Sequence, residues 1–462
     1  MIRLFKHYVP HVVLLLALVD FMLLLASAEA AWVLRAHQIG MTVEPLANRY
    51  WPIVNFAATL QIAMVAVGVY GSDALQSLRF ATARLLVSIS LGVIFLSIVY
   101  FAFPGATLWR SNSLYAMAIA FVLLVVVRIL FDRLLGPRAF KRRVVVLGAG
   151  QRAARLGRMS ASSKASFEVV AHIDMGDCTP VVETAIDRGT IENLERYIWQ
   201  LGANEVVLAL EERRQAMPVN DLLRIRTLGV HVNEISTFLE RETGRVDLRS
   251  INPSWLIFSD GFSSARRLSS YAKRVFDITV AALLLLLTLP VMAVAAIAVK
   301  LESPGPVIYR QQRIGLYGSP FDILKFRSMR QDAEVGGKAV WAEKNDPRIT
   351  RVGRIIRKLR IDELPQVWTV LKGEMSFVGP RPERPGFVDE LSQKIRFYAE
   401  RHVVKPGITG WAQINYPYGA SLDDARQKLE YDLYYAKNYT PFLDLVIILQ
   451  TIRVVLFPEG AR

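Results

Sequence analysis

Asp362 and Glu363 stand side by side in RKLRIDELPQVWTVLKGEMSFVGPRP, the stretch from Arg357 to Pro382, with basic residues before and after them. Adjacent carboxylates can hold a divalent cation through oxygen, and one of them can act as a nucleophile. Arg and Lys can neutralise phosphate oxygens that the metal does not reach. Handling a metal-bound diphosphate needs that combination. Taken alone, the pair also fits an ordinary helix start, because Asp is a favoured N-cap and acidic first turns suit the helix dipole. Pro365 follows two residues later and is well accommodated in a first helical turn, which predicts the carboxylates near a helix N-terminus, where phosphate is favoured. Arg357 lies five residues before Asp362 and Arg360 two before it, a spacing that one continuous helix would turn to different faces. Arg381 sits between Pro380 and Pro382. Prolines stiffen the backbone there and lower the entropy cost of holding a guanidinium toward a phosphate.

The same stretch, with KFRSM (Lys325 to Met329) before it and KPGITGWAQIN (Lys405 to Asn415) after it, resembles the bacterial sugar transferase family. The resemblance covers residues 271–462, with the motifs in the family's order. It implies a polyprenyl-phosphate glycosyl-1-phosphate transferase of the large monotopic type. Such an enzyme moves a sugar 1-phosphate from a UDP-sugar to a membrane polyprenyl phosphate such as undecaprenyl phosphate and releases UMP, beginning an exopolysaccharide repeat unit. It implies further that Asp362 attacks the β-phosphorus to give an acyl-phosphate intermediate and that Asp362 and Glu363 together organise Mg²⁺. Arg357, Arg381 and Lys325 then bind phosphate, with Arg360 counted beside them. QQRIG (Gln311 to Gly315) and KPGITG are rich in turn residues and are expected to shape the site.

The elements that must position these residues include apolar ones. The chain of 462 residues is 52% hydrophobic, which points to membrane segments, and is long enough for more than one domain. Apolar windows at Val9–Ala31, Pro52–Tyr70, Leu85–Phe103 and Leu114–Phe131 predict four transmembrane helices within residues 1–140. A cleaved signal peptide is the alternative for the first, and its length speaks against that. Arg3, Lys6, Arg79, Arg84 and the run Arg133, Arg138, Lys141, Arg142 and Arg143 flank ends that the positive-inside rule makes cytoplasmic. Asp20 lies mid-span, as a helix–helix contact or, alternatively, a proton-transport group. A fifth apolar segment, 275–299, carries Pro290 near its middle, which removes a backbone donor and crowds the preceding turn; Thr288 could bond a freed carbonyl. The resemblance implies a re-entrant helix broken at Thr288 and Pro290, with Asp277 near its start, that enters and leaves through one leaflet. An ordinary kinked span is the alternative.

Residues 141–235 alternate β-branched runs with helical stretches, the pattern of a parallel sheet with crossover helices. Gly148, Gly150 and Ala153 form a GxGxxA turn after the first run, and Asp174 ends the second at the ribose-binding distance. A bound nucleotide and a turn kept for packing are both open; structural or regulatory use is the one expected, with no cofactor assigned. Residues 236–270 read as an ordered connector that resembles exopolysaccharide and PEP-CTERM-associated transferases. The expected architecture is a membrane α-helical bundle, an α/β Rossmann-like domain and an α/β monotopic catalytic domain (271–462) with a re-entrant helix. The segment Phe442–Phe457, interrupted by Asp444, suits a helix lying in the membrane surface.

A formal charge of +15 suits lipid headgroups and nucleotide diphosphates, and no nucleic-acid module accompanies it. One cysteine, Cys178, excludes an intrachain disulfide. The expected location is a bacterial cytoplasmic membrane, multi-pass, with the catalytic domain facing the cytoplasm; apolar spans and a broad middle domain are compatible with a homodimer. Two other functions fit parts of the chain. A membrane binding or transport protein leaves the DELPQ and GPRP motifs without a role, and a membrane-tethered nicotinamide enzyme lacks a partner for hydride chemistry.

Overall fold

The computed structural model describes residues 2–4, 7–9, 11–43, 45–70, 78–135, 141–162, 165–212, 217–249, 251, 267–330, 348–417, 419 and 421–456. The chain divides into two compact units, Met1–Ser250 and Ile251–Arg462.

After a short antiparallel pair of strands, Ile2–Leu4 and His7–Val9, the first unit continues with α1 (His11–Gln38), α2 (Leu46–Val67), α3 (Leu78–Ala102) and α4 (Arg110–Leu135). Each contains a stretch long and apolar enough to cross a membrane. Leu24, Phe56, Leu60, Leu85 and Leu124 interlock at the centre of the bundle. Asp20 of α1 is fully buried and pairs with Arg128 of α4 through two contacts, at 2.6 and 3.1 Å. Tyr70, just past α2, donates to the same carboxylate at 2.9 Å, and Gln61 of α2 donates to the Tyr70 hydroxyl at 2.8 Å. Asp20 is therefore a helix-to-helix contact, satisfied by a charge and a hydroxyl as a buried carboxylate requires. Arg138, in the basic run after α4, lies outside the described residues.

Five strands follow: β1 (Arg142–Leu147), β2 (Phe167–Asp174), β3 (Ile186–Asp187), β4 (Glu205–Leu208) and β5 (His231–Glu234). They form one all-parallel sheet in the order β3-β2-β1-β4-β5. Val145, Leu147 and Val206 pack on one face with Leu194, Ile198 and Ile225; Val144, Val146 and Val207 pack on the other with Leu156 and Phe238. Burial on both faces is why these strands read as unbroken β-branched runs. The connector expected at 236–270 begins as helix instead. α5 (Gln151–Ser160), α6 (Leu194–Gln200) and α7 (Val219–Thr227) precede α8 (Ile235–Thr243), whose Phe238 and Leu239 complete the sheet's core, so this part belongs to the middle domain. Residues 250 and 252–266 of the connector lie outside the described residues, and its last residues, from Arg267, are already helix.

The second unit opens with α9 (Arg267–Glu302) and the antiparallel hairpin of β6 (Ile308–Ile314) and β7 (Pro320–Phe326). Then come α10 (Arg351–Lys358), α11 (Gln366–Lys372), β8 (Ser376–Val378), α12 (Pro385–Lys394) and β9 (Gly407–Thr409), which pairs parallel with β8. α13 (Trp411–Asn415), α14 (Leu422–Asn438) and α15 (Pro441–Leu456) close it.

α9 runs unbroken through Pro290. The Thr288 hydroxyl donates to the Leu284 carbonyl at 2.7 Å. The carbonyl that Pro290 leaves without its donor belongs to Leu286, which a threonine at 288 does not serve, because its hydroxyl reaches back three or four residues. The expected rescue at Thr288 is thus replaced by a bond that favours a bend one turn earlier. Leu283, Leu286, Leu287 and Val294 in the middle of α9 are exposed, whereas both of its ends are packed. Near the start, Lys273 pairs with Asp444 of α15 at 2.5 Å, and Arg274 donates to the Val370 and Leu371 carbonyls that end α11. Near the finish, Ala295 and Val299 pack against Phe326 of β7 and Ile356 of α10. Asp444, expected to interrupt a surface-lying helix, is fully buried, as are Leu443 and Ile447 beside it.

Candidate active site

Each end of α9 holds one half of the predicted constellation. The Asp277 carboxylate accepts from the Ser376 hydroxyl at 2.9 Å and the Phe377 N–H at 3.1 Å, which fixes β8 and the chain that leaves it toward Arg381. At the other end, the Glu302 carboxylate accepts from the Arg351 and Val352 N–H groups, and the Thr350 hydroxyl from Gly353 N–H at 2.9 Å. α10 therefore starts with its free donors satisfied from two sources. Gly353 is required there, because a Cβ would strike the Ser328 carbonyl.

α10 ends at Lys358, and Arg360 beyond it adopts the left-handed conformation with φ 58°. That costs about 1–3 kcal/mol for a residue other than glycine. The reversal replaces the continuous helix on which Arg357 and Arg360 would face apart, and it throws Asp362 and Glu363 into a separate 3₁₀ turn, Ile361–Glu363. Pro365 is the N-cap of α11 and not a first-turn residue, so the carboxylates sit in the turn before that helix.

Three of the predicted residues converge on Glu363. Its Oε1 lies 3.0 Å from Lys325 Nζ on β7, 3.4 Å from Arg381 Nη2 and 3.9 Å from Arg360 Nη1. Burial raises the Glu363 pKa, but Arg381 and Lys325 outweigh it and hold the carboxyl at about 2. Asp362 is only 8% exposed. Burial and the neighbouring Glu363 charge push its pKa above the ordinary carboxylate range, against the pull of Lys325, Arg357 and Arg360. Burial also lowers the Lys325 ammonium, with Glu363 opposing. Neighbouring carboxyls whose environments drive them apart in this way are suited to different tasks. Asp362 Oδ1 is buried with no hydrogen-bond partner among the described residues.

That orphaned oxygen beside an ionised Glu363 fits a divalent cation. No cluster of three or more metal-ligating side chains occurs among the described residues. Two carboxylates, with substrate phosphates and water completing the shell, make a donor set of the kind Mg²⁺ takes.

The GPRP loop is held from outside itself. Pro380 and Pro382 have no N–H, and four successive carbonyls accept bonds from distant residues: Pro380 from Gly407 N–H (3.0 Å), Arg381 from Arg401 Nη2 (3.0 Å), Pro382 from Arg313 Nη1 (3.2 Å) and Glu383 from Ile314 N–H (3.0 Å). QQRIG and KPGITG thus hold the GPRP loop, through Arg313, Ile314 and Gly407. Gly379, Gly407 and Gly410 cross so closely that a Cβ on any of them would meet backbone atoms.

A model of the bacterial sugar transferase family matches residues 268–458. The chain is 47% identical over 232 residues to the UDP-N-acetylgalactosamine-undecaprenyl-phosphate N-acetylgalactosaminephosphotransferase of Aeromonas hydrophila, covering 50% of this chain and 53% of that protein. It is 32% identical over 374 residues to the undecaprenyl-phosphate glucose phosphotransferase of Komagataeibacter xylinus, covering 76% of this chain and 68% of that protein. The chain belongs to the bacterial sugar transferase family. A further relative, the UDP-glucose:undecaprenyl-phosphate glucose-1-phosphate transferase of Caulobacter vibrioides, is 45% identical over 193 residues, which cover 41% of this chain and 71% of that protein. The chain spans about half the length of the Aeromonas relative it matches.

The structure adds residues outside the predicted set. Glu302, Arg401 and Asp432 each position a site segment from far along the chain.

Proposed function

We propose that this protein transfers a sugar 1-phosphate from a UDP-sugar to undecaprenyl phosphate, releasing UMP, as the initiating step of an exopolysaccharide repeat unit. The observation that carries the reading is Asp362: a buried carboxylate with one bare oxygen, under the charges of Lys325, Arg357 and Arg360, and adjacent to an ionised Glu363 that Lys325 and Arg381 hold. In the first step an Asp362 oxygen attacks the β-phosphorus. The bond from that phosphorus to the bridging oxygen breaks, and UMP leaves with the electron pair. In the second, a phosphate oxygen of the lipid attacks the same phosphorus and the Asp362 carboxylate is regenerated. Lys325, Arg381 and Arg357 orient the diphosphate and balance its charge throughout. Mg²⁺, held by Asp362 and Glu363, would supply charge neutralisation on the diphosphate.

The same reading takes α9 as re-entrant and the catalytic unit as cytoplasmic. Both ends of α9 pack on one folded unit; had the exposed apolar middle crossed a bilayer, one end would be parted from that unit by lipid. The middle domain is taken as Rossmann-like, used for packing. Its strand order and GxGxxA turn support the resemblance, and the Glu211 carboxylate accepts the Arg152 N–H at 3.0 Å at the start of α5, where a phosphate would sit.

The test is UMP release by the purified, detergent-solubilised protein with undecaprenyl phosphate and a panel of UDP-sugars. Asp362→Asn should cut turnover by a factor on the order of a thousand or more while leaving the unfolding midpoint near that of the parent. Glu363→Gln and chelation of divalent metal should each remove most activity. Substantial turnover in Asp362→Asn would refute the covalent step.

A further inference from the structure

Of the four grips on the GPRP loop, the one at Arg381 is unlike the others. Two come from backbone N–H groups and one from Arg313, whereas Arg401 is a guanidinium only 5% exposed and braced on three sides. Its Nε and Nη2 bond Asp432 at 3.1 and 2.7 Å, Nη1 bonds the Tyr398 hydroxyl at 2.9 Å, and Nη2 also reaches the Arg381 carbonyl. Burying such a pair gains little stability over apolar side chains of similar volume. What it provides is a rigid donor at the one residue of the loop whose own side chain reaches Glu363. We propose that Arg401, braced by Asp432 and Tyr398, is a positioning residue: it fixes the Arg381 backbone so that the Arg381 guanidinium meets the donor diphosphate beside Glu363. This rests on the reaction proposed above.

The fork geometry is what matters. A lysine at 401 keeps the charge that Asp432 needs, but one ammonium cannot span Asp432, Tyr398 and the Arg381 carbonyl together. Arg401→Lys should therefore lower kcat about tenfold to a hundredfold, with KM for the UDP-sugar changed less. In an Arg381→Ala background the same substitution should cost almost nothing further, since there is no guanidinium left to misplace. Tyr398→Phe, which removes one brace and leaves the ion pair, should give a smaller loss that likewise vanishes without Arg381; it carries the test if Arg401→Lys does not fold.

Kinetics and unfolding midpoints are measured for the parent, each single variant and each double variant. Equal losses in both backgrounds, or losses that follow the unfolding midpoint alone, would overturn the proposal. Calorimetric titration of the same proteins with UDP separates the two readings. If no UDP-sugar is turned over yet UDP binding shows the same non-additivity, the reaction is wrong and the positioning role stands. If UDP does not bind the parent protein, both fall.

Discussion

His402, next to the Arg401 brace, is a neutral histidine held in a place that punishes its charge. Burial, with Arg401 adding to it, lowers its pKa from 6.5 to about 4. The unfolded chain takes up a proton at 6.5 that the folded chain refuses until 4, so folding stability falls as pH drops through that window and is unaffected by this group above it. Between pH 7 and 5 the loss is about 2 kcal/mol. His402→Phe keeps a ring against Tyr398 and removes the proton site; denaturant titrations at the two pH values should show that much less acid sensitivity, and an unchanged pH dependence would show that other groups are responsible. At this scale the sequence was legible where chemistry is local. Asp362 and Glu363 are neighbours in the chain, and the prolines of GPRP announce a stiff loop. Arg360 gave no such notice, because a left-handed turn at a residue other than glycine leaves no mark in composition. Arg401 and Asp432 were hidden by distance, since a contact across 31 residues has no period to betray it.

Among the elements, α9 is the one on which both halves of the site depend. Asp277 near its start anchors β8, Glu302 at its end caps α10, and the exposed apolar stretch lies between. With Cys178 replaced, single cysteines at Ser270 and Ser303 should both be labelled from the cytoplasmic side by a reagent that does not cross membranes. Labelling of the two from opposite sides would rule out the re-entrant arrangement. Pro290→Leu restores the donor for the Leu286 carbonyl and removes the ring's clash, so the helix can straighten to a spanning length. That variant should shift part of the Ser303 label outward and lose activity with Asp362 and Glu363 intact. The length, hydropathy and proline of this segment were all readable beforehand. Its attachments were not, because Asp277 meets Ser376 99 residues away.

For the molecule as a whole, the parallel middle sheet was legible in its β-branched runs, but the state of its glycine turn was not. A Cβ on Gly150 would meet Glu211 and the Cys178 sulfur at 2.7 to 2.9 Å, and Asp174 spends its carboxylate on the Gly176 N–H. Glu211 and Cys178 thus crowd the turn at Gly150. Gly150→Ala should therefore lower stability by about 1–3 kcal/mol through overpacking, and calorimetry should find no saturable NAD or NADP binding; tight binding would reverse this assignment.

The Asp20–Arg128 pair bears on biosynthesis. Its partners lie 108 residues apart in the first and fourth helices. At synthesis rates of about 5–20 residues per second, Asp20 reaches the bilayer some seconds before Arg128 exists. A carboxyl without its partner is costly in lipid for that interval, so the first helix settles in the bilayer only as its partners follow. Tyr70 arrives midway and offers the first hydroxyl. The four-helix region can reach its final packing only after the last span has emerged, which makes Arg128, late in the order of synthesis, the residue that completes assembly of the membrane region.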